Sequence, residues 1–519
     1  MNLPKRIDIT AKQLDAILAR AKRLLQKEDY EVIKAMADTI TFLSSAVGRK
    51  NAQVQKLLAM LFGTVTEKTS KVLRERKAKE AVANKEIKGH GRNGADSYSG
   101  AEKIEIPHQS LKPKDRCPAC RKGKLYDMAK PAVIVRITGQ APLAAKVYEM
   151  ARLRCNLCGQ VFTAKAPEGI GDEKYDAASG AMIALLKYGS GVPFYRLENL
   201  QESLGIPLAS STQWEIVEEV AGKIEPVYRE LIKEAAQGEI IYNDDTVAKI
   251  LNQINIPDEE RDGRKGMFTS GFASVTANIK IALFLTGHNH AGENMADILA
   301  KRSEELGPPI QMCDGLSRNI PKDFKTILAN CIAHARRRFV EVNESFPKEC
   351  RYVLETLEKV YAIDAYTKEK GMSAEQRLKY HQENSARLME ELKAWLTSQI
   401  EDKKVEPNSA LGQAISYMLK HFKEMTLFLR VPKAPLDNNL CERVLKRAIL
   451  HRKNSLFYKT PYGAYIGDLF MSLIHTCSLC KANPFNYLKT LQENSTSIAK
   501  NPEKWMPWNY REMLNASVE

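Results

Sequence analysis

Apolar residues along the first part of the chain recur with the period of a helix. Ile33, Met36, Ile40, Leu43 and Val47 follow one another at three- and four-residue steps, and Val54, Leu57, Leu58, Leu61 and Phe62 do much the same. Residues 7–73 contain no Pro, and only Gly48 and Gly63 interrupt them, so helices with one apolar stripe each are expected there. An intramolecular helical hairpin and a coiled-coil dimerisation element both satisfy that stripe. Helical spacing returns at 182–188, 194–204 and 211–235, the last with Ser210 and Ser211 as N-cap candidates. Residues 197–219 read as two helices joined at Leu204-Gly205-Ile206-Pro207, a helix-turn-helix candidate. The pattern then shortens: 240–242, 267–275, 279–285 and 309–312 are apolar or β-branched runs bounded by Gly, Asn and Asp, as strands of a mixed sheet are. Long amphipathic helical patterns fill 340–428, and further helices are expected around Arg443, at 465–479 and at 484–492. The fold class is therefore multidomain and mainly α, with one α/β core.

A chain of 519 residues has room for roughly three to four compact units, which excludes a single small binding module. With 44% hydrophobic and 27% charged residues it can bury a sizeable core. No apolar run approaches the roughly 18 residues of a membrane span, and the polar, helix-forming start lacks the pattern of a signal peptide. A cytoplasmic location with no membrane partner is expected. Lys and Arg number 78 against 63 Asp and Glu, a net charge of +15, which favours a polyanion such as nucleic acid. Residues 67–92 carry nine Lys or Arg and four Glu and run into a Gly-, Ser- and Asn-rich stretch, a basic flexible linker whose Lys88 and Arg92 can lie along phosphates.

Ten cysteines are too sparse for a disulfide scaffold, and four of them have metal spacing. Cys117-Pro118-Ala119-Cys120 and Cys155-Asn156-Leu157-Cys158 are two knuckles 34 residues apart. Each presents two thiolates from one tight turn, and together they complete a four-sulfur shell for one structural Zn²⁺. Strands at 132–136 and 145–153 would make the module a zinc ribbon. A closed shell leaves no open coordination position, so this zinc serves folding and DNA positioning. Cys477 and Cys480 share the spacing but sit in an apolar helical pattern and are expected to be buried thiols.

Two acidic sites stand at strand ends: Asp244-Asp245 after Ile240-Ile241-Tyr242, and Asp314-Gly315 after Ile310-Gln311-Met312-Cys313. Acids there point into the crevice where open sheets place ligands, although capping a turn is the commoner role of such an Asp. A third acid, Glu442, follows Asp437-Asn438-Asn439, with Asp437 as N-cap candidate. Asn438, Asn439 and Glu442 share one helical face, and Arg443, Lys446, Arg447, Arg452 and Lys453 surround them with charge suited to phosphates. Three acids on a sheet and a following helix are what two divalent ions need to clamp a phosphodiester.

The sequence resembles the DDE transposases of the insertion-sequence-66 family from about Met36 nearly to its end. The resemblance is carried by Leu61-Phe62-Gly63 with Glu67-Lys68, Gly89-His90-Gly91-Arg92, both Cys knuckles, Val192-Pro193-Phe194-Tyr195-Arg196, Asp244-Asp245-Thr246 and Asp314-Gly315. It continues through Cys331-Ile332-Ala333-His334-Ala335-Arg336-Arg337-Arg338-Phe339, residues 435–443 and Arg452-Lys453-Asn454-Ser455-Leu456-Phe457. It implies an RNase H-like core with Asp244, Asp314 and Glu442 as ligands of two Mg²⁺ or Mn²⁺ ions and a long helical insertion between the second and third acids. It also implies supporting roles for His334, Arg336, Arg337, Asn438 and Asn439. Asp-Glu-Thr-Pro is usual in the family where this chain has Asp244-Asp245-Thr246-Val247, and Thr-Asp-Gly-Tyr where it has Cys313-Asp314-Gly315-Leu316; all three acids are kept. The expected partners are double-stranded DNA, as element ends and target, further copies of the chain on that DNA, and element-encoded accessory proteins.

The expected organisation is a helical region (1–76), the basic linker (77–112), the zinc ribbon (113–168), a helical region with the helix-turn-helix candidate (169–236), the first part of the core (237–345), the insertion (346–430), the final core helix with Glu442 (431–480) and a helical tail (481–519). Two other functions fit parts of the pattern: a zinc-ribbon DNA-binding regulator with an inert sheet domain, and an RNase H-like nuclease or resolvase that cuts without joining.

Overall fold

Five strands build the central sheet, in the order β5-β4-β3-β6-β7. A computed structural model describes residues 11–39, 104, 106, 110–126, 141–154, 156, 158, 160–165, 167–168, 173–254, 266–277 and 279–516. The chain divides into two units, Met1–Arg74 with Ala145–Glu519, and Glu75–Ala144.

In the larger unit, α1 (Ala11–Leu24) is followed by helical residues 27–39, whose Ile33 and Met36 are exposed. The rest of the expected N-terminal stripe, with Lys88 and Arg92, lies outside the described residues. A short hairpin of β1 (Arg152–Arg154) and β2 (Val161–Thr163) flanks the second Cys knuckle. The strand expected at 145–153 is thus confined to its end, because residues 145–151 have no described partner strand; 132–136 are not described. Next come α2 (Ala177–Ala184), which runs into a π turn at Leu185–Gly189, α3 (Phe194–Ser203) and the 27-residue α4 (Ser210–Ala236).

The α3–α4 turn uses Gly205 at φ +72°, with Ile206 N–H donating to Gln201 O, a left-handed helix exit that a side chain would strain. The N-cap of α4 is Ala209 rather than Ser210 or Ser211, and the Glu198 carboxylate accepts from Ser210 N–H and Oγ–H in its place. Val217, Val220, Ile224, Val227, Tyr228 and Leu231 bury one face of α4, so the second helix of the helix-turn-helix candidate is a core helix over most of its length.

Strands β3 (Ile240–Val247), β4 (Phe268–Thr276) and β5 (Ile279–Gly287) form an antiparallel meander. After α5 (Ala291–Leu299), β6 (Ile310–Cys313) pairs parallel to β3, and β7 (Ile327–Asn330) parallel to β6. Side chains alternate between the sheet's faces. On β4, Ser274 Oγ–H donates to Ala235 O of α4 and Ser270 Oγ accepts from Asn294 of α5, so both helices cover one face. Gly271 belongs to the other.

Helices α6 (Ile332–Val342), α7 (Pro347–Glu369), α8 (Ala374–Asn384), α9 (Ala386–Glu401) and α10 (Ala410–Lys420) follow β7. Asp364 is buried among them; burial alone would raise its pKa, but His381, Lys368 and Arg377 hold the carboxyl well below its usual range. The chain returns to the sheet with α11 (Asn439–Ser455) and α12 (Pro461–Leu479), then α13 (Pro484–Glu493). Cys477 is buried in α12, and Cys480, its C-cap, is partly exposed.

Helix α12 closes the open edge of β5. Thr476 Oγ, Ser472 Oγ and Asp468 Oδ2 accept from the backbone N–H groups of Ala282, Phe284 and Thr286, at 3.0, 3.0 and 2.6 Å. Four helical residues rise about 6 Å and two strand residues about 6.8 Å, so a polar side chain every fourth position keeps step with the edge amides. An edge that would invite another strand is thereby satisfied. Burial pushes Asp468 up to about 7. A carboxyl raised above its unfolded pKa of about 3.9 contributes stability that is complete below that value and is lost as pH rises through about 7. Asp468→Asn keeps the acceptor for Thr286 N–H, so its stability relative to wild type should climb by a few kcal/mol between about pH 4 and 7 and be flat outside that window. Chemical denaturation at a series of pH values measures this, and a constant difference contradicts it.

Candidate active site

The three acids reach one place because two strands and two helix ends are tied together. Asp244 lies within β3, two residues beyond the stretch that pairs with both β4 and β6, and directly across from Gly271. A Cβ at Gly271 would meet Leu445 Cδ1 at 2.9 Å, so the missing side chain is what lets α11 lie against the sheet. Cys441 Sγ–H donates to Gly271 O at 3.1 Å, and the next residue, Glu442, sits in the first turn of α11. Asn438, buried at the N-cap, donates from Nδ2 to Asn243 O of β3 and from its backbone N–H to Cys331 Sγ. Ile332 N–H donates to Leu436 O, which joins the start of α6 to the approach of α11. Asp437, expected as N-cap, instead accepts from Asn439 N–H one position earlier.

Asp314 follows β6, and its Oδ1 accepts from Asn319 Nδ2 at 2.6 Å and Leu316 N–H at 3.1 Å. Beneath it, Asn319 O accepts from both Asn243 Nδ2 and Gln311 Nε2 at 2.7 Å, and Gln311 Nε2 also reaches Asn243 Oδ1 at 3.0 Å. All three amides are fully buried. Such a network costs stability unless satisfied, and here it locks β3, β6 and the turn after β6 to one another. A polar residue inside an otherwise apolar strand run, as at Gln311, was the sequence signal for it. The insertion braces the same turn: Tyr417 of α10 accepts from Gly315 N–H at 3.3 Å, with the Arg338 guanidinium 3.9 Å from its ring centre.

Burial, then the charge of Asp314, push Asp244 up to about 7, and Asp245 and Glu442 add to the shift. Asp244 therefore feels both other acids. Alternation turns Asp245 to the opposite face, where its carboxylate, 1% exposed, pairs with His290 at 2.9 Å and Arg318 at 3.2 Å. A cavity of about 580 Å³ on that side is lined by Phe268, His288, His290, Arg318 and Lys322, away from the three acids.

Glu442 has His334 Nε2 at 3.8 Å from Oε1 and Arg337 at 3.9 Å from Oε2. Its Oε1 is buried without a hydrogen-bond partner, and a carboxylate oxygen left unsatisfied suits a divalent cation. Of the other expected residues, Arg336 is buried, while Asn439, Arg443, Lys446, Arg447 and Lys453 are exposed. Arg452 donates to Thr246 Oγ1 at 3.0 Å and to Val247 O, tying α11 to the end of β3.

In the smaller unit, Cys117 and Cys120 sit on one turn: Cys117 N–H donates to Gly123 O and Gly123 N–H to Cys120 Sγ at 3.4 Å. Backbone N–H groups, Gly123 first, lower the Cys120 pKa, as suits a thiolate ligand. Cys158 is exposed in the larger unit, and Cys155 lies outside the described residues. Among the described residues, no helix is long and apolar enough to cross a membrane.

Curated relatives of similar length carry no assigned function. Uncharacterized protein y4jD of Sinorhizobium fredii (strain NBRC 101917 / NGR234) is 27% identical over 452 residues, covering 81% of this chain and 84% of its own. Uncharacterized protein y4hP of the same strain is 25% identical over 446 residues, covering 80% and 77%. The family described as Transposase IS66 family matches residues 174–466, more than half of the chain, from α2 through the first turns of α12 and with all three acids inside. The chain belongs to the IS66 family of transposases.

Proposed function

We propose that this transposase works by DDE chemistry, with Asp244, Asp314 and Glu442 as its three acids, cutting the ends of an insertion element and joining them to target DNA. The observation that carries the reading is that Asn438 and Cys441, just before Glu442 in sequence, hydrogen-bond to Asn243 and Gly271, beside and across from Asp244 on β3, the strand next to β6 with its Asp314. Family membership implies DNA as partner and the use of divalent metal. The three carboxylates would hold two Mg²⁺ or Mn²⁺ ions, which when bound supply positive charge to the attacking and leaving oxygens of an in-line displacement. Asn319 and Leu316 N–H orient Asp314, while His334 and Arg337 hold Glu442. Water attacks the phosphodiester at the element's end and the 3′ oxygen leaves as a hydroxyl. That hydroxyl then attacks a target phosphodiester and displaces the target's 3′ oxygen, so no covalent protein intermediate forms.

An antiparallel meander followed by two parallel strands, with an acid on the first strand, one after the fourth and one on a later helix, supports an RNase H-like core with α7–α10 as its insertion. The Cys117–Cys120 turn, with Gly123 N–H on Cys120 Sγ, supports a metal knuckle of the kind that takes structural Zn²⁺ and positions DNA. Exposed Arg443, Lys446, Arg447 and Lys453 on α11, with Lys88 and Arg92 of the linker, meet phosphates, and several copies act on paired ends.

The deciding experiment incubates the full chain, with any element-encoded partner proteins, with labelled element-end duplex and target plasmid in Mg²⁺ or Mn²⁺. Joined end–target products are expected. Cutting without joining would move the protein to the nucleases, and salt-sensitive binding with neither would make it a DNA-binding regulator.

A further inference from the structure

We propose that Cys331, His334 and Glu442 form a second metal site, for a thiophilic divalent cation of the Zn²⁺ or Cd²⁺ class, and that its occupation withdraws Glu442 from the acid cluster and stops strand cleavage. The inhibitory half rests on the assignment of Glu442 above; the binding half does not.

The site follows from the same tie that places Glu442. Cys331 is the N-cap of α6, and His334 stands one turn into that helix. Asn438 N–H to Cys331 Sγ (3.2 Å) and Ile332 N–H to Leu436 O (3.0 Å) hold the start of α11 against it. The thiol sulfur, an imidazole nitrogen and a carboxylate oxygen thereby come within 4.8 Å of one another. Two polar atoms here, His334 Nδ1 and Glu442 Oε1, are buried with no hydrogen-bond partner, a rare state that a bound ligand relieves.

The donor set selects the ion. Sulfur, nitrogen and oxygen together suit a borderline-soft cation, whereas Mg²⁺ and Ca²⁺ take oxygen. Three protein ligands leave a fourth position for water. Binding takes the Cys331 sulfur as thiolate and releases its proton to solvent, which favours a cation with strong thiolate affinity. Glu442 Oε1 is the oxygen facing His334, so the thiophilic ion and the hard ions compete for one side chain.

The test titrates Cd²⁺ into the purified full chain and reads the thiolate-to-cadmium ultraviolet absorption. Wild type, Cys331→Ser and His334→Ala share the knuckle cysteines, so the comparison isolates this site. Wild type should show an absorbance increment that Cys331→Ser lacks, Ser keeping an acceptor for Asn438 N–H. His334→Ala should need at least about tenfold more Cd²⁺ for the same increment. Equal absorbance in wild type and Cys331→Ser overturns the site, and unchanged affinity in His334→Ala reduces it to a lone thiol and overturns it too. The ratio of cleavage with and without micromolar Zn²⁺ tests the inhibitory half: it should fall at least tenfold in wild type and stay near one in Cys331→Ser, and equal ratios overturn the inhibition. Because the absorbance needs no activity, an increment without any cleavage faults the transposition chemistry and leaves the metal site standing.

Discussion

Asp314→Asn should abolish strand cleavage and leave DNA binding in place. Asparagine keeps the Oδ1 that accepts from Asn319 Nδ2 and Leu316 N–H, so the turn after β6 is retained and only the charge is lost. Taking one carboxylate from a two-ion clamp removes several kcal/mol of transition-state stabilisation, on the order of a thousandfold in rate or more. Asp244→Asn and Glu442→Gln should behave alike. The metal-free Asp314→Asn protein should be no less stable than wild type, because a like charge that raises the Asp244 pKa has gone. Loss of activity with stability held or gained distinguishes a site residue from a structural one. Asp245→Asn supplies the contrast: its partners are His290 and Arg318 on the other face, so it should lower stability and keep cleavage within about tenfold of wild type. End-labelled duplex resolved on denaturing gels measures cleavage, and mobility shift measures binding. Strand transfer by Asp314→Asn at the wild-type level would end the triad assignment.

Mn²⁺ should raise the melting temperature by several degrees at pH 8, with the gain shrinking steeply below pH 7. At a hundredfold excess over its dissociation constant, a ligand that binds only the folded state stabilises it by about 2.7 kcal/mol. The pH dependence comes from Asp244, which burial and Asp314 push up to about 7. Without metal, its contribution to stability is complete below the unfolded value near 3.9 and is lost as pH rises through about 7. Cations take the ionised form, so below pH 7 binding must displace a proton and affinity falls by up to about tenfold per pH unit. The metal-free protein thus loses stability over the range in which the cation effect grows. Asp244→Asn should lose most of the Mn²⁺ gain together with its pH dependence. Differential scanning fluorimetry from pH 5.5 to 8.5 reads both slopes, and an equal Mn²⁺ shift at the two extremes contradicts the assignment.

Several parts of this protein were legible in the residues alone, because they depend on short-range pattern. The helices after residue 340, four of the five strands, the knuckle spacing and the three acids of the family pattern are read from local period and residue type. Other parts were decided only when distant segments met. β7 escaped notice because Ile327-Leu328-Ala329-Asn330 is four residues long and leads straight into α6; only β6 beside it makes it a strand. β3 runs on through Asn243, Asp244 and Asp245, residues that read as a turn, because β4 continues to pair with them after β6 has stopped. The family resemblance favours Asp244 over its neighbour Asp245, whereas the local pattern does not separate them, since both follow the same apolar run. The structure puts their side chains on opposite faces, through the alternation of a paired strand, with α11 over Gly271 on one side and α5 over Ser270 on the other. The buried Asn243, Gln311 and Asn319 network and the approach of Cys331 and His334 to Glu442 likewise join residues with no local relation. Sequence alone determined which chemical groups the chain carries and the local elements that bear them. Tertiary structure decided which groups share one desolvated space, because that depends on close approach between helix and sheet rather than on any neighbour along the chain.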